Sequence, residues 1–222
     1  MNLFDVIGPV MIGPSSSHTA GAARIGNITR KLLNSPPKHV DIGLHGSFQK
    51  TYIGHGTDRA LIGGLLGMEV DDERLRDSLQ IANEVGFSYE FHEVQLRNVH
   101  PNTVVLKVEG TNGNVVNVQA SSVGGGEIVI QEINGLKAEF NARFNTVVIS
   151  YFDLPGMIAN ISNEFAMANI NIGTMKVFRQ SIGGNAMVVI EIDGEADERL
   201  LSRLRSLPDI EKVAYLEIGE GN

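Results

Sequence analysis

Hydrophobic and polar positions repeat along this chain with two periods, and the changes of period mark its elements. Residues 20–33, AGAARIGNITRKLL, predict a helix fed by a loop at Ser15-Ser16-Ser17-His18-Thr19, with Ser17 or a neighbour as N-cap. Ser35-Pro36-Pro37 closes it, because a residue before proline is driven out of helical geometry. Val40, Ile42 and Leu44 alternate, which predicts a strand over 38–44. Gly54-His55-Gly56-Thr57-Asp58 is the next turn and opens the helix RALIGGLLG, with Thr57 as cap. Residues 71–85 predict a third helix, with Leu75, Leu79 and Ala82 on one face. Phe87, Tyr89 and Phe91 alternate as the start of a strand. Residues 103–108 and 115–119 are strands joined by the hairpin turn Thr111-Asn112-Gly113-Asn114. Gly124-Gly125-Gly126 marks a bend before a strand at 127–133.

From Asn145 the pattern restarts: a strand at 147–152, the turn Asp153-Leu154-Pro155-Gly156, and a helix from Met157 to about Ala168. Strands at 170–178 and 186–192 flank the turn Gly183-Gly184-Asn185. A helix at 197–206 and a strand at 213–218 complete the order β-α-β-β-α-β, a ferredoxin-like arrangement in about 75 residues. The class is α/β (α+β). A mixed domain is expected over 1–140 and a ferredoxin-like one over 146–222, with the boundary near 138–146.

Composition narrows the chemistry. The chain has 222 residues and no cysteine, with 18 Lys+Arg against 26 Asp+Glu and a formal charge of −8. It cannot supply a disulfide, a thiolate zinc site, a cysteine nucleophile or the thiolates of an iron–sulfur cluster. The acidic balance argues against binding nucleic acid or an anionic membrane. Residues 3–12 are fairly apolar, but Asp5, Gly8-Pro9 and Gly13-Pro14 interrupt them and no basic leader precedes them. A signal peptide is not expected. No apolar run approaches the roughly 18 residues of a membrane helix, and the cytoplasm is the expected compartment. All six histidines lie within the first 100 residues, so any chemistry belongs to the first half.

Each chemical motif has a second reading. Ser15, Ser16, Ser17, His18 and Thr19 bring hydroxyls and an imidazole to a helix N-terminus, which attracts a carboxylate or phosphate; alternatively, they are a well-capped helix start. The glycines beside His55 let a ligand approach the backbone, and Thr57 and Asp58 can bind an ammonium or orient the imidazole; alternatively, they cap a helix beside a surface histidine. His100-Pro101-Asn102 precedes a strand as a third site member or a plain turn. His39 and His92 read as structural or solvated, and His45 stands before a possible helix start at Gly46-Ser47. No HxH or HxxxH pair is present, so no metal site is expected in this chain. In the second domain Asp153, Gly156 and Asn171 form a corner able to hold a small amino acid, or simply a well-punctuated turn.

Two family resemblances weigh these readings. VVISYFDLPGMIANISNEFAMANINIGTMKVFR resembles an ACT domain over about 146–217. The resemblance implies side-by-side self-association and amino-acid effectors at the shared interface. In serine-sensing ACT domains two Asn contact the effector; the matching positions here are Asp153 and Asn171, with Gly156 in the turn between them. FDVIGPVMIGPSSSHTAGAARIG, GHGTDRALIGGLLG and NVHPNTVVLKVEG resemble the beta chain of iron–sulfur-dependent L-serine dehydratases. The same region also resembles the allosteric substrate-binding domain of some phosphoglycerate dehydrogenases.

The dehydratase resemblance implies deamination of L-serine to pyruvate and ammonia, with a [4Fe–4S] cluster held by a separate alpha chain. The open iron of such a cluster acts as a Lewis acid on the substrate's carboxylate and hydroxyl. His55 and His18 are then acid–base candidates, with His55 favoured. Thr57 and Asp58 hold the serine ammonium or orient His55. Ser15, Ser16 and Ser17 bind the substrate carboxylate or pack against the cluster edge, Thr19 contacts substrate, and His100 and Asn102 form a supporting wall. The beta chain alone is expected to be inactive. The competing reading is a serine-sensing regulatory subunit without catalytic residues.

Overall fold

The computed structural model describes residues 11–218; most of the apolar segment 3–12 lies outside them. The chain divides between Asn134 and Gly135 into two compact units.

In the first unit a π-helical turn, Ser16–Ala20, runs directly into α1 (Gly21–Leu33). There follow β1 (Pro37–Leu44), α2 (Gly46–Thr51), α3 (Thr57–Leu65), a 3₁₀ turn (Glu73–Asp77), α4 (Ser78–Glu84) and β2 (Ser88–Glu93). Next come β3 (Thr103–Gly110), β4 (Val115–Gly124) and β5 (Glu127–Ile133), and β6 (Leu136–Phe140) opens the second unit. The sheet order in the first unit is β2-β1-β3-β4-β5; β1 and β2 are parallel, and β3, β4 and β5 follow β1 in antiparallel register. Gly113 takes φ +83° in the β3–β4 turn, and Gly124 to Gly126 all take positive φ between β4 and β5.

Helices α1 and α3 meet backbone to backbone. A Cβ on Gly26 would stand 2.5 Å from the Leu61 carbonyl oxygen, and one on Gly64 would stand 2.1 Å from that of Ala23. Only glycine permits this approach. The start of α1 also lies close on β4, where a Cβ on Gly21 would overlap Ser122 Oγ. The N-termini of α1 and α3 are thereby fixed relative to the sheet.

Three expectations are corrected. The serines are not a loop ahead of the helix: Ser15 caps it by accepting from the His18 N–H at 3.2 Å, so Ser16 to Thr19 form the first turn. Thr57 is not a cap: Gly56, in left-handed conformation at φ +67°, occupies that position, and Thr57 is the first helical residue, fully buried. The helix expected over 71–85 is a 3₁₀ turn followed by the short α4. Leu75 fits against Gly63, and the Ser78 hydroxyl donates to the Arg59 carbonyl at 2.7 Å. Burial at Leu75 and Ser78 uses the three-residue spacing of a 3₁₀ turn. Strand β6 had no signal in the sequence reading.

The second unit holds β7 (Thr146–Phe152), α5 (Met157–Met167), β8 (Ile172–Arg179), β9 (Asn185–Ile192), α6 (Glu198–Ser206) and β10 (Ile210–Leu216). Its antiparallel sheet has the order β10-β7-β9-β8, the ferredoxin-like arrangement. The core joins Val147, Ile149 and Tyr151 of β7 with Ile161 and Phe165 of α5 and Leu200 and Leu204 of α6. No helix among the described residues is long and apolar enough to cross a membrane.

Candidate functional site

The site forms where the starts of α1, α2 and α3 converge. Gly13, at φ +122°, turns the chain over Thr19; a Cβ there would stand 2.5 Å from Thr19 Cγ2. The π turn then presents His18. Its Nδ1 lies 3.0 Å from Ser17 Oγ and 3.4 Å from Ser15 Oγ. Its Nε2 lies 3.1 Å from Ser47 Oγ in the first turn of α2. The ring also meets Phe48 edge-on, at 5.4 Å between centroids. Both nitrogens are therefore occupied, and the imidazole has one orientation.

His55 comes from the turn between α2 and α3. Its ring is 4.8 Å from that of His18, tilted by 50°. Thr19 Oγ1 donates to the His55 carbonyl at 3.0 Å and ties the two loops together. Unlike His18, His55 has a buried Nδ1 without a partner, and so do Thr57 Oγ1 and Asp58 Oδ1. Buried polar atoms are normally paired. Three unpaired ones within four consecutive residues mark a place shaped for a polar guest.

Burial holds the His18 pKa below the ordinary imidazole range, and the nearby His55 lowers it further. Burial raises the Asp58 carboxyl, against smaller opposing contributions from the Arg59 N–H and guanidinium. A neutral imidazole is a competent proton acceptor, and a raised carboxyl exchanges protons closer to neutrality.

The His100 segment joins through backbone contacts. Ser47 N–H donates to the Pro101 carbonyl at 2.8 Å, and a Cβ on Gly46 would crowd that same oxygen at 2.6 Å. His100 Nδ1 accepts from the Asn102 N–H at 3.1 Å, and Asn102 is buried. This segment seats α2 and, through Ser47, the ring of His18. Ser16 is the first residue of the same turn. His39 and His92 are half-buried or exposed; they bond Ser88 and Asp41, respectively, on the β1–β2 surface.

Ser47 was missed as a site residue, although the Gly46-Ser47 helix start was visible. Arg59 and Arg76 were missed as well. With Gly13, Thr19 and His55 they line a cavity of about 170 Å³. No cysteine is available, and the described residues contain no group of three or more His, Asp or Glu able to hold a metal. The donor set of this chain does not fit an iron–sulfur cluster.

In the second unit Arg179 donates to Asp153 Oδ2 at 3.2 Å, and Asn171 Nδ2 donates to Asp193 Oδ2 at 2.7 Å. Gly156 takes φ +91° ahead of α5. Asp153 follows Phe152, which pairs with Asn185; Asn171 precedes Ile172, which pairs with Ile192. The two residues stand at opposite ends of the sheet and share no pocket within one chain.

Residues 2–133 match the family model described as serine dehydratase beta chain, and residues 145–209 match that of the ACT domain. The chain is 42% identical to the probable L-serine dehydratase beta chain of Bacillus subtilis, over 97% of each chain. It belongs to the serine dehydratase beta-chain family. The L-serine dehydratase beta chain of Peptoniphilus asaccharolyticus is 37% identical, again over 97% of each. L-serine dehydratase 1 of Escherichia coli is 33% identical over 62% of this chain and 35% of its own longer length. The span matched by the serine dehydratase beta-chain model contains the segments that here build the His18–His55 site.

Proposed function

We propose that this chain is the beta subunit of a two-chain, cytoplasmic L-serine dehydratase that converts L-serine to pyruvate and ammonia. The observation that carries the reading is the pair His18 and His55, one clamped and one free, beside the unpaired oxygens of Thr57 and Asp58.

Loss of water from serine requires removal of the Cα proton and departure of the Cβ hydroxyl. The resulting enamine becomes an imine, and water hydrolyses it to pyruvate and ammonia. In this reading the free His55 Nδ1 takes the proton, and His18, held neutral by burial, accepts or returns one beside it. Asp58 and Thr57 receive the substrate ammonium. Ser15, Ser16 and Ser17 contact the substrate from the π turn, with Thr19 bracing His55. His100 and Asn102 wall the site through α2.

With no thiolate in this chain, the [4Fe–4S] cluster is assigned to a separate alpha chain, and the site lies where the two subunits meet. The first domain, 1–140, supplies this half-site. The ACT domain, 146–222, associates with a second copy. Two copies are needed to join Asp153 and Gly156 of one chain with Asn171 of another around an effector, because one chain holds them at opposite ends of its sheet.

The test is pyruvate formation from L-serine under anaerobic conditions. Turnover is expected only when this chain is combined with the alpha chain. Turnover by the purified chain alone, or no turnover by the complex, overturns the reading.

A further inference from the structure

Beside His55 lies the cavity of about 170 Å³ between the Gly13 turn, the 53–56 turn and the 3₁₀ segment. It is lined by Thr19, His55, Arg59 and Arg76 among mostly small or apolar residues, and among the described residues no carboxylate lines it. Among the described residues neither guanidinium forms an ion pair. Arg74, two positions from Arg76, closes instead on Asp72 and does not line the cavity. Both arginines are exposed, and neither lies within ion-pair distance of a described carboxylate. At about 30 Å³ per water, the hollow has room for five or six waters, or for a small amino acid.

We infer that this cavity is the carboxylate-binding subsite for the amino acid that His55 acts on, with Arg59 and Arg76 as the cations that select it. The inference rests on the proposed dehydratase reading and sharpens it. Guanidinium groups bind carboxylates through paired, charge-assisted hydrogen bonds. A carboxylate held here puts the attached Cα beside His55, whose Nδ1 has no protein partner. Thr57 and Asp58, whose unpaired oxygens follow in the same segment, do not themselves line the cavity.

The test has two parts. In the assembled two-chain enzyme, Arg59→Gln and Arg76→Gln are expected to raise the KM for L-serine about tenfold each, the scale of a lost charge-assisted contact. KM should change far more than kcat, Arg59→Lys should recover part of the loss, and Arg74→Gln should stay within about twofold of wild type. Separately, the full 222-residue chain is titrated with L-serine, L-serinamide and inorganic phosphate while the His55 ring resonances are followed by NMR. L-serine should shift them in the wild type and not in the Arg59→Gln, Arg76→Gln double variant, whereas L-serinamide should not shift them. Unchanged KM in both arginine variants of an active enzyme overturns the subsite and leaves the dehydratase reading standing. A shift with phosphate alone makes the cavity an inorganic-anion site and also overturns it. Arginine-dependent L-serine binding to a chain whose complex has no turnover keeps the subsite and removes the dehydratase reading.

Discussion

His18 and His55 hold their imidazoles 4.8 Å apart and tilted by 50°, one with both nitrogens occupied and the other with a buried nitrogen unpaired. Burial, with the nearby His55 adding to it, keeps His18 toward its neutral form.

Replacing either histidine should remove an acid–base group without unfolding the chain, because neither is a core residue. His55→Ala and His18→Ala are each expected to lower kcat of the assembled enzyme by about 10²–10⁴-fold. Steady-state pyruvate formation measures this. Wild-type turnover in both variants contradicts the assigned roles.

Ser47 acts through His18 rather than on substrate. Ser47→Ala frees His18 Nε2 and lets the ring turn. The expected result is a kcat lowered by roughly 3–30-fold together with a displaced pH–rate profile. Thermal stability should change by less than about 1 kcal/mol. A pH profile superimposable on that of the wild type removes the positioning role.

Burial depresses the His18 pKa in the folded state, so the unfolded chain binds the proton more readily. The sign follows: stability from this group is present above the unfolded value of about 6.5 and is lost as pH falls through the folded value. Urea midpoints at pH 7.5 and 5.5 should show the loss, and His18→Gln should reduce the difference.

Asp58 has the opposite effect on stability at neutral pH. Its raised pKa means that folding disfavours its charge, a cost present above the folded value and relieved as pH falls. Asp58→Asn should therefore stabilise the chain at pH 7 by up to about 1 kcal/mol and reduce turnover of the complex. Calorimetry and kinetics on the same variant check both.

The α1–α3 contact fixes the geometry of the site. Gly64→Ala puts a methyl into the Ala23 carbonyl and forces the helices apart. A loss of about 2–3 kcal/mol is expected, with His18 and His55 separating as a consequence. Denaturation midpoints measure the first, and turnover the second.

Local pattern along the chain was enough for the class of the fold and the β-α-β-β-α-β order of the second domain. These follow from local period and punctuation: Asn112-Gly113 makes its turn and Asp197 caps its helix whatever lies across the core. The absent cysteines likewise mean that these residues supply no thiolate to an iron–sulfur cluster. Tertiary contacts set that Ser16 and Ser17 are helical, that Gly56 rather than Thr57 caps α3, and that residues 71–85 break into a 3₁₀ turn and a short helix. Each outcome depends on a distant partner: Ser47 on His18, Ala23 on Gly64, Leu75 on Gly63. The role of Ser47 and the meeting of Arg59 with Arg76 have the same cause. They depend on how close two backbones come, and spacing along one chain does not encode that distance.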